Sequence, residues 1–188
     1  MILHPGSRSR RLGLLGMGSG DRMAAAFGRR LGDDWHWFRS IAPGGIETID
    51  AVLVGPGGTW TLTTSGQRGR FARRNGHWYH WNRSTESWVP WDAAPITAAR
   101  LAGRRLALYL ERTNLPAAVE PILLSPADME VEVQPSDPIG LRVEHNPDRI
   151  ASALTAEERL TQQQVDRIVA VLDPRQPLPR LVQATPGG

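Results

Sequence analysis

The chain has 188 residues, enough for one domain with a sizeable core. It contains no cysteine, which excludes disulfides, zinc–thiolate sites and thiol nucleophiles together. All 22 of its basic residues are arginine, so chemistry that needs a lysine as proton shuttle is excluded too. The net charge of +3 hides an asymmetry: Met1 to Val119 carries 16 Arg and 8 acids, whereas Glu120 to Asp173 carries 4 Arg and 11 acids. A basic first half can meet nucleic acid, or the two halves can attract one another within the fold. No run of 18 apolar residues occurs, so no membrane span is expected and a cytoplasmic location is the default.

In chain order, residues 1–19 read as a basic flexible leader. Arg8, Arg10 and Arg11 precede a Leu/Gly stretch too short and glycine-rich for a signal peptide. The glycines from Gly13 to Gly18 lack G-x-G-x-x-G spacing and follow no strand, so they predict no dinucleotide site. Gly20-Asp21 opens a helix to about Leu31, with Met23, Ala26, Phe27, Arg30 and Leu31 at helical spacing on its inner side. Asp21 favours that helix start electrostatically. Gly32-Asp33-Asp34 ends it, and Trp35–Ile41 is the first strand.

Ile46 to Gly66, IETIDAVLVGPGGTWTLTTSG, reads as strand, tight turn, strand. Strict alternation puts Glu47, Ile49, Ala51 and Leu53 on one face and Thr48, Asp50, Val52 and Val54 on the other. Beyond the second strand, Gly66–Arg74 carries Arg68, Arg70, Arg73 and Arg74 with no acid. His77–Trp91 then gathers Trp78, Tyr79, Trp81, Trp88 and Trp91 around an Asn82–Glu86 loop, the pattern of a hairpin. Arginines beside aromatic rings are the composition of a surface for single-stranded nucleic acid. They are equally that of a hairpin stabilised by cross-strand tryptophans. His77 and His80 lack metal-pair spacing and a third ligand.

Ala94-Pro95 starts a helix to about Arg112. Ile96, Ala99, Gly103, Leu106 and Leu110 lie on its buried face, and Arg100, Arg104 and Arg105 largely outside it. Val119–Leu124, Met129–Val133 and Leu141–Val143 read as strands. Pro147–Leu154 and Leu160–Leu172 read as helices, the latter with a capping box at Thr161–Gln164. Residues 174–188 contain four prolines and read as a disordered tail. The expected architecture is α/β (α+β): one domain over 20–173, with a central mixed sheet flanked by helices.

The strand–turn–strand unit resembles the core of the nuclease-related domain (NERD) family, a relative of restriction-endonuclease-like folds. In that family an Asp on the first strand is followed by a Gly-Pro-x-Gly turn and a second strand ending Glu-x-Lys. Asp50 and Gly55-Pro56-Gly57-Gly58 match; Thr63 stands in place of the Glu and Ser65 in place of the Lys. Gly20-Asp21 is a shortened form of the family's Gly-Glu helix start. Pro95 matches the family's Asn-Pro, whereas Ala94 and Arg100, near the family's Gln, depart from it. The ending LTQQQVDRIVAVL resembles the family's terminal helix.

The resemblance implies a restriction-endonuclease-like core with a vestigial site at Asp21, Asp50, Thr63 and Ser65. A metal-dependent phosphodiesterase needs carboxylates to hold Mg²⁺ and a cation near the transition state. Two neutral hydroxyls supply neither. The expectation is therefore a pseudoenzyme with no cofactor, acting as a DNA- or RNA-binding or accessory module through Arg68, Arg70, Arg73, Arg74 and Arg100. Two alternatives stay open. One is a weakly active Mg²⁺-dependent nuclease in which Asp21, Glu47 and Asp50 rebuild the cradle, with Asp50 as the ligand of any metal. The other is a protein-interaction module without nucleic acid.

Overall fold

The computed structural model describes residues 1–4, 19–45 and 47–173. The basic part of the expected leader and the proline-rich tail lie outside the described residues. Ile2–His4 form a short strand, β1, where the sequence expects leader. β1 pairs in parallel with β2 (His36–Ile41) along the edge of a six-stranded sheet. His4 stacks on Phe38 with ring centroids 4.2 Å apart, and its Nε2 lies 3.1 Å from Nδ1 of His36.

Helix α1 (Ser19–Gly28) precedes β2. Ala24 and Phe27 are buried, whereas Arg30, expected on the inner side, is exposed and pairs with Asp148. Its long side chain reaches a carboxylate more cheaply than it could desolvate a charge. Strands β2, β3 (Ile49–Gly55) and β4 (Gly58–Thr64) form an antiparallel meander. The chain then builds a second, four-stranded sheet from β5 (Gly69–Arg74), β6 (His77–Asn82) and β7 (Ser87–Pro90).

Helix α2 (Ala94–Arg112) returns the chain to β8 (Val119–Leu124), parallel to β4. β9 (Met129–Val133) joins the second sheet, parallel to β5, and β10 (Arg142–Glu144) joins the first, parallel to β8. Helices α3 (Pro147–Leu154) and α4 (Gln162–Leu172) follow; Thr161 and Gln164 form the expected capping box on α4. The result is mixed α/β, with sheet orders β1-β2-β3-β4-β8-β10 and β7-β6-β5-β9. Among the described residues no helix is long and apolar enough to cross a membrane.

The six-stranded sheet is covered on both faces. One cluster joins Phe27 of α1 and Ile150, Ala151 and Leu154 of α3 to Trp37, Ala51, Leu53, Trp60 and Leu62. The other joins Leu106 and Leu110 of α2 and Val165, Ile168 and Leu172 of α4 to Phe38, Val52 and Val54. Ile49 belongs to this second cluster, not with Ala51 and Leu53 as strict alternation predicts. The β2–β3 ladder omits the Ser40–Asp50 pair at this point, and Ser40 has φ 48°, a left-handed value uncommon outside glycine. The backbone there is irregular, so period-two reasoning fails for the first residue of β3.

The Gly-Pro-Gly-Gly turn closing β3–β4 is seated in the core. A Cβ on Gly57 would lie 1.7 Å from the carbonyl oxygen of Leu154, and one on Gly55 would strike the Trp35 ring at 2.3 Å. The Pro56 carbonyl accepts the N–H groups of Arg159 and Leu160 at 2.8 and 2.9 Å. Gly57→Ala must push α3 off the turn. We expect it to destabilise the fold by about 3 kcal/mol, read from urea or thermal unfolding, whereas Gly66→Ala, which meets open space, changes stability little.

Candidate functional site

Strand directions bring Asp50, Thr63 and Ser65 to one end of the six-stranded sheet. β3 runs antiparallel to β4, and β8 and β10 run parallel to it. The start of β3 therefore shares an edge with the ends of β4, β8 and β10. Asp50 lies one step beyond the Ala51–Leu62 pair, beside Thr63. The adjacency expected from sequence is present: an exposed carboxylate stands next to a strand ending in hydroxyls.

Local hydrogen bonds occupy these groups. The Thr64 N–H donates to Asp50 Oδ2 at 3.3 Å, so Asp50 acts as a turn-end acceptor. Ser65 donates its N–H to the Leu124 carbonyl at 2.8 Å, and its Oγ accepts the Gln67 N–H at 3.1 Å. Glu47, offered for a rebuilt cradle, is ion-paired to Arg105 of α2 at 2.6 Å. Asp21 lies in the first turn of α1, the helix packed on the face opposite α2 and α4. Among the described residues no group of three or more His, Asp or Glu side chains is placed to hold a metal ion.

The sequence reading missed one carboxylate at this sheet end. Glu144 closes β10, with its side chain 12% exposed. Burial pushes its pKa upward, but N–H donation from Asn146 at 3.1 Å and His145 at 2.9 Å, with the charges of Arg149 and His145, lowers it overall. Three strand spacings separate β3 from β10, so Asp50 and Glu144 are about 14 Å apart across the sheet and cannot share an ion. No pattern flagged Glu144, because the expected strand, Leu141–Val143, stopped one residue short of it.

The arginines proposed for nucleic acid divide into three groups. Arg68, Arg70 and Arg73 find acids: Arg68–Asp128 at 3.3 Å, Arg70–Glu132 at 2.8 Å, Arg70–Glu130 at 3.7 Å and Arg73–Asp137 at 2.9 Å. All four partners lie on or beside β9, which the sequence left unpaired with the arginine run. Arg74 instead lies over Trp88, its guanidinium carbon 4.7 Å from the ring centroid. Arg100 is exposed on α2, near the helix N-terminus. Comparison of the chain with protein-family models, with curated proteins and with solved structures finds no match.

The Glu144 carboxylate gives the site end a measurable acid dependence. A carboxyl whose folded pKa is depressed contributes stability that is present above the unfolded value, near 4.5, and lost as pH falls through the lower folded value. Thermal melts between about pH 5 and 3 will show the wild-type losing stability across this window. Glu144→Gln will be less stable at pH 6 but lose less on acidification.

Proposed function

We propose that this chain is a catalytically silent, nuclease-related domain that serves as a nucleic-acid-binding or accessory module. The observation that carries the reading is the company Asp50 keeps. Its strand lies beside one that ends in Thr63 and Thr64, with Ser65 next in the chain, and its Oδ2 already accepts a backbone N–H. Phosphodiester hydrolysis by this class of site needs a second carboxylate to hold Mg²⁺ and a cation for the developing charge. Neutral hydroxyls leave the metal with too little negative charge. The mixed sheet, with a meander followed by a helix and a parallel strand, keeps a frame on which such a site could have been built. Fold alone does not transmit activity.

A second reading, a protein-interaction module without nucleic acid, draws on the ion pairs of Arg68, Arg70 and Arg73 with the β9 segment. These pairs are the attraction between halves that the charge asymmetry allows, and they reduce the positive field available to phosphates.

Incubation of the full chain with Mg²⁺ or Mn²⁺ and single- or double-stranded DNA separates silence from activity. The expected result is no turnover, unchanged in Asp50→Ala. Turnover that disappears in Asp50→Ala would overturn the proposal. Binding measured across a salt series separates the two readings: phosphate contacts weaken steeply with salt through counterion release. Absence of binding to DNA and RNA at low salt would leave the protein-interaction reading.

A further inference from the structure

The two faces of the four-stranded sheet differ. Its inner face is closed: Phe71, Met129, Trp78 and Val131 pack with Trp91, Ile96 and Leu123. Alternation turns the intervening residues outward. Ala72, Tyr79 and Pro90 form one row across β5, β6 and β7, and Trp81 and Trp88 pair in the next. Trp81 and Trp88 meet edge-on with centroids 5.4 Å apart. Trp35, Trp37 and Trp60 are at most 3% exposed, and Trp78 and Trp91 pack against the inner cluster. Trp81, Trp88 and Tyr79 are half-buried and belong to none of the three apolar clusters.

Charge accompanies these rings. Arg74 lies 4.7 Å from the Trp88 centroid, and Arg70 lies 5.8 and 6.0 Å from Trp88 and Trp81. From Arg68 to Trp91 the chain has five arginines and a single acid, Glu86. The acids of the β9 segment engage Arg68, Arg70 and Arg73. Arg74 and Arg83, the latter in the β6–β7 turn, form no ion pair among the described residues. Cationic charge and aromatic surface thus coincide at the hairpin side of this face, away from the acidic β9 edge.

We propose that this outer face binds single-stranded nucleic acid, with bases against Trp81, Trp88 and Tyr79 and phosphates at Arg74 and Arg83. The inference rests on the nucleic-acid reading above and names the face and the form of the ligand. A duplex stacks its bases on one another and shows their edges, whereas a single strand offers free base faces to aromatic rings. The paired arginines beside β9 are not required. Neutral sugars also stack on tryptophan, but they make no use of two uncompensated guanidinium groups.

The test measures full-length protein against oligothymidine of about 20 nucleotides, several times the smallest single-strand sites, and against a duplex of equal length. Wild type will prefer the single strand. Trp88→Ala and Trp81→Ala will each weaken it about tenfold, the size of one lost base stack. Arg74→Gln, a surface change that keeps the fold, will reduce the salt slope by about 0.7. Circular dichroism and thermal melting of each variant identify loss of fold, and Arg74→Gln keeps the test decisive if a tryptophan variant unfolds. Single-strand binding that folded Trp88→Ala and Arg74→Gln both retain, or preference for duplex, overturns the proposed face while the nucleic-acid reading survives. No binding to either probe at low salt overturns both. Salt-insensitive binding of maltohexaose that Trp88→Ala loses, without binding of oligothymidine, assigns the face to neutral glycans and also overturns the proposal.

Discussion

Burial of one apolar stripe along α2 joins the two sheets. Ile96 and Ala99, near the start of the helix, pack with Phe71, Met129 and Leu123 beneath the four-stranded sheet. Ala102, Leu106 and Leu110, further along, pack with Phe38, Val52 and Val54 of the six-stranded sheet. Ile96, Ala99, Leu106 and Leu110 are at most 2% exposed. Each large side chain in such a position contributes roughly 1.5–3 kcal/mol relative to exposure. The helix also approaches β8 closely, since a Cβ at Gly103 would lie 3.2 Å from the Pro121 side chain. Without this stripe the second sheet would lose its inner cover.

The same arrangement explains the uneven charge of the sequence. β5 is basic and β9 acidic, and they lie side by side in parallel register, with Arg70 opposite Glu130 and Ala72 opposite Glu132. Cross-strand pairs of this kind are worth only a few tenths of a kcal/mol to about 1 kcal/mol each when exposed. Their greater effect is on pairing choice: the basic strand pairs with an acidic neighbour contributed by the second half of the chain. The opposed charges thus have a role inside the molecule, and only the hairpin side of this sheet retains uncompensated arginine.

Local elements were legible in the sequence to the extent that their signals were local. α2 shows Pro95 at its start and a five-residue apolar stripe, and α4 shows its Thr161–Gln164 box; α2 appears over the expected range, and α4 starts at Gln162, two residues after the expected Leu160. The β6–β7 hairpin follows from its aromatic runs and polar loop. The six- and four-strand partition was not legible, because the β5–β9 ladder joins residues about sixty positions apart and leaves no periodic trace. The Gly69–Arg74 strand was hidden by its arginines, which mimic a solvated basic segment until acids are placed beside them. At the candidate site, the neighbourhood of Asp50 and Thr63 could be read from a tight turn and two short strands. Glu144 could not, since parallel pairing through β8 delivers it from a distant part of the chain.

The two ends of the β3–β4 hairpin answer to different constraints. At the turn, Gly55 and Gly57 have no room for a Cβ against Trp35 and Leu154, and the Pro56 carbonyl caps the approach to α4. Packing alone therefore demands glycine there, whatever the protein does. At the open end, Asp50, Thr63 and Ser65 are exposed or half-buried, and their side chains could be exchanged with little effect on the core. Residues free to vary in this way are fixed only by chemistry. The turn thus carries information about fold, and what the open end does is set by the chemistry of its exposed side chains. Under the proposed reading, alcohols at Thr63 and Ser65 silence the open end while the packing of the turn is untouched, so frame and chemistry can part company within one hairpin.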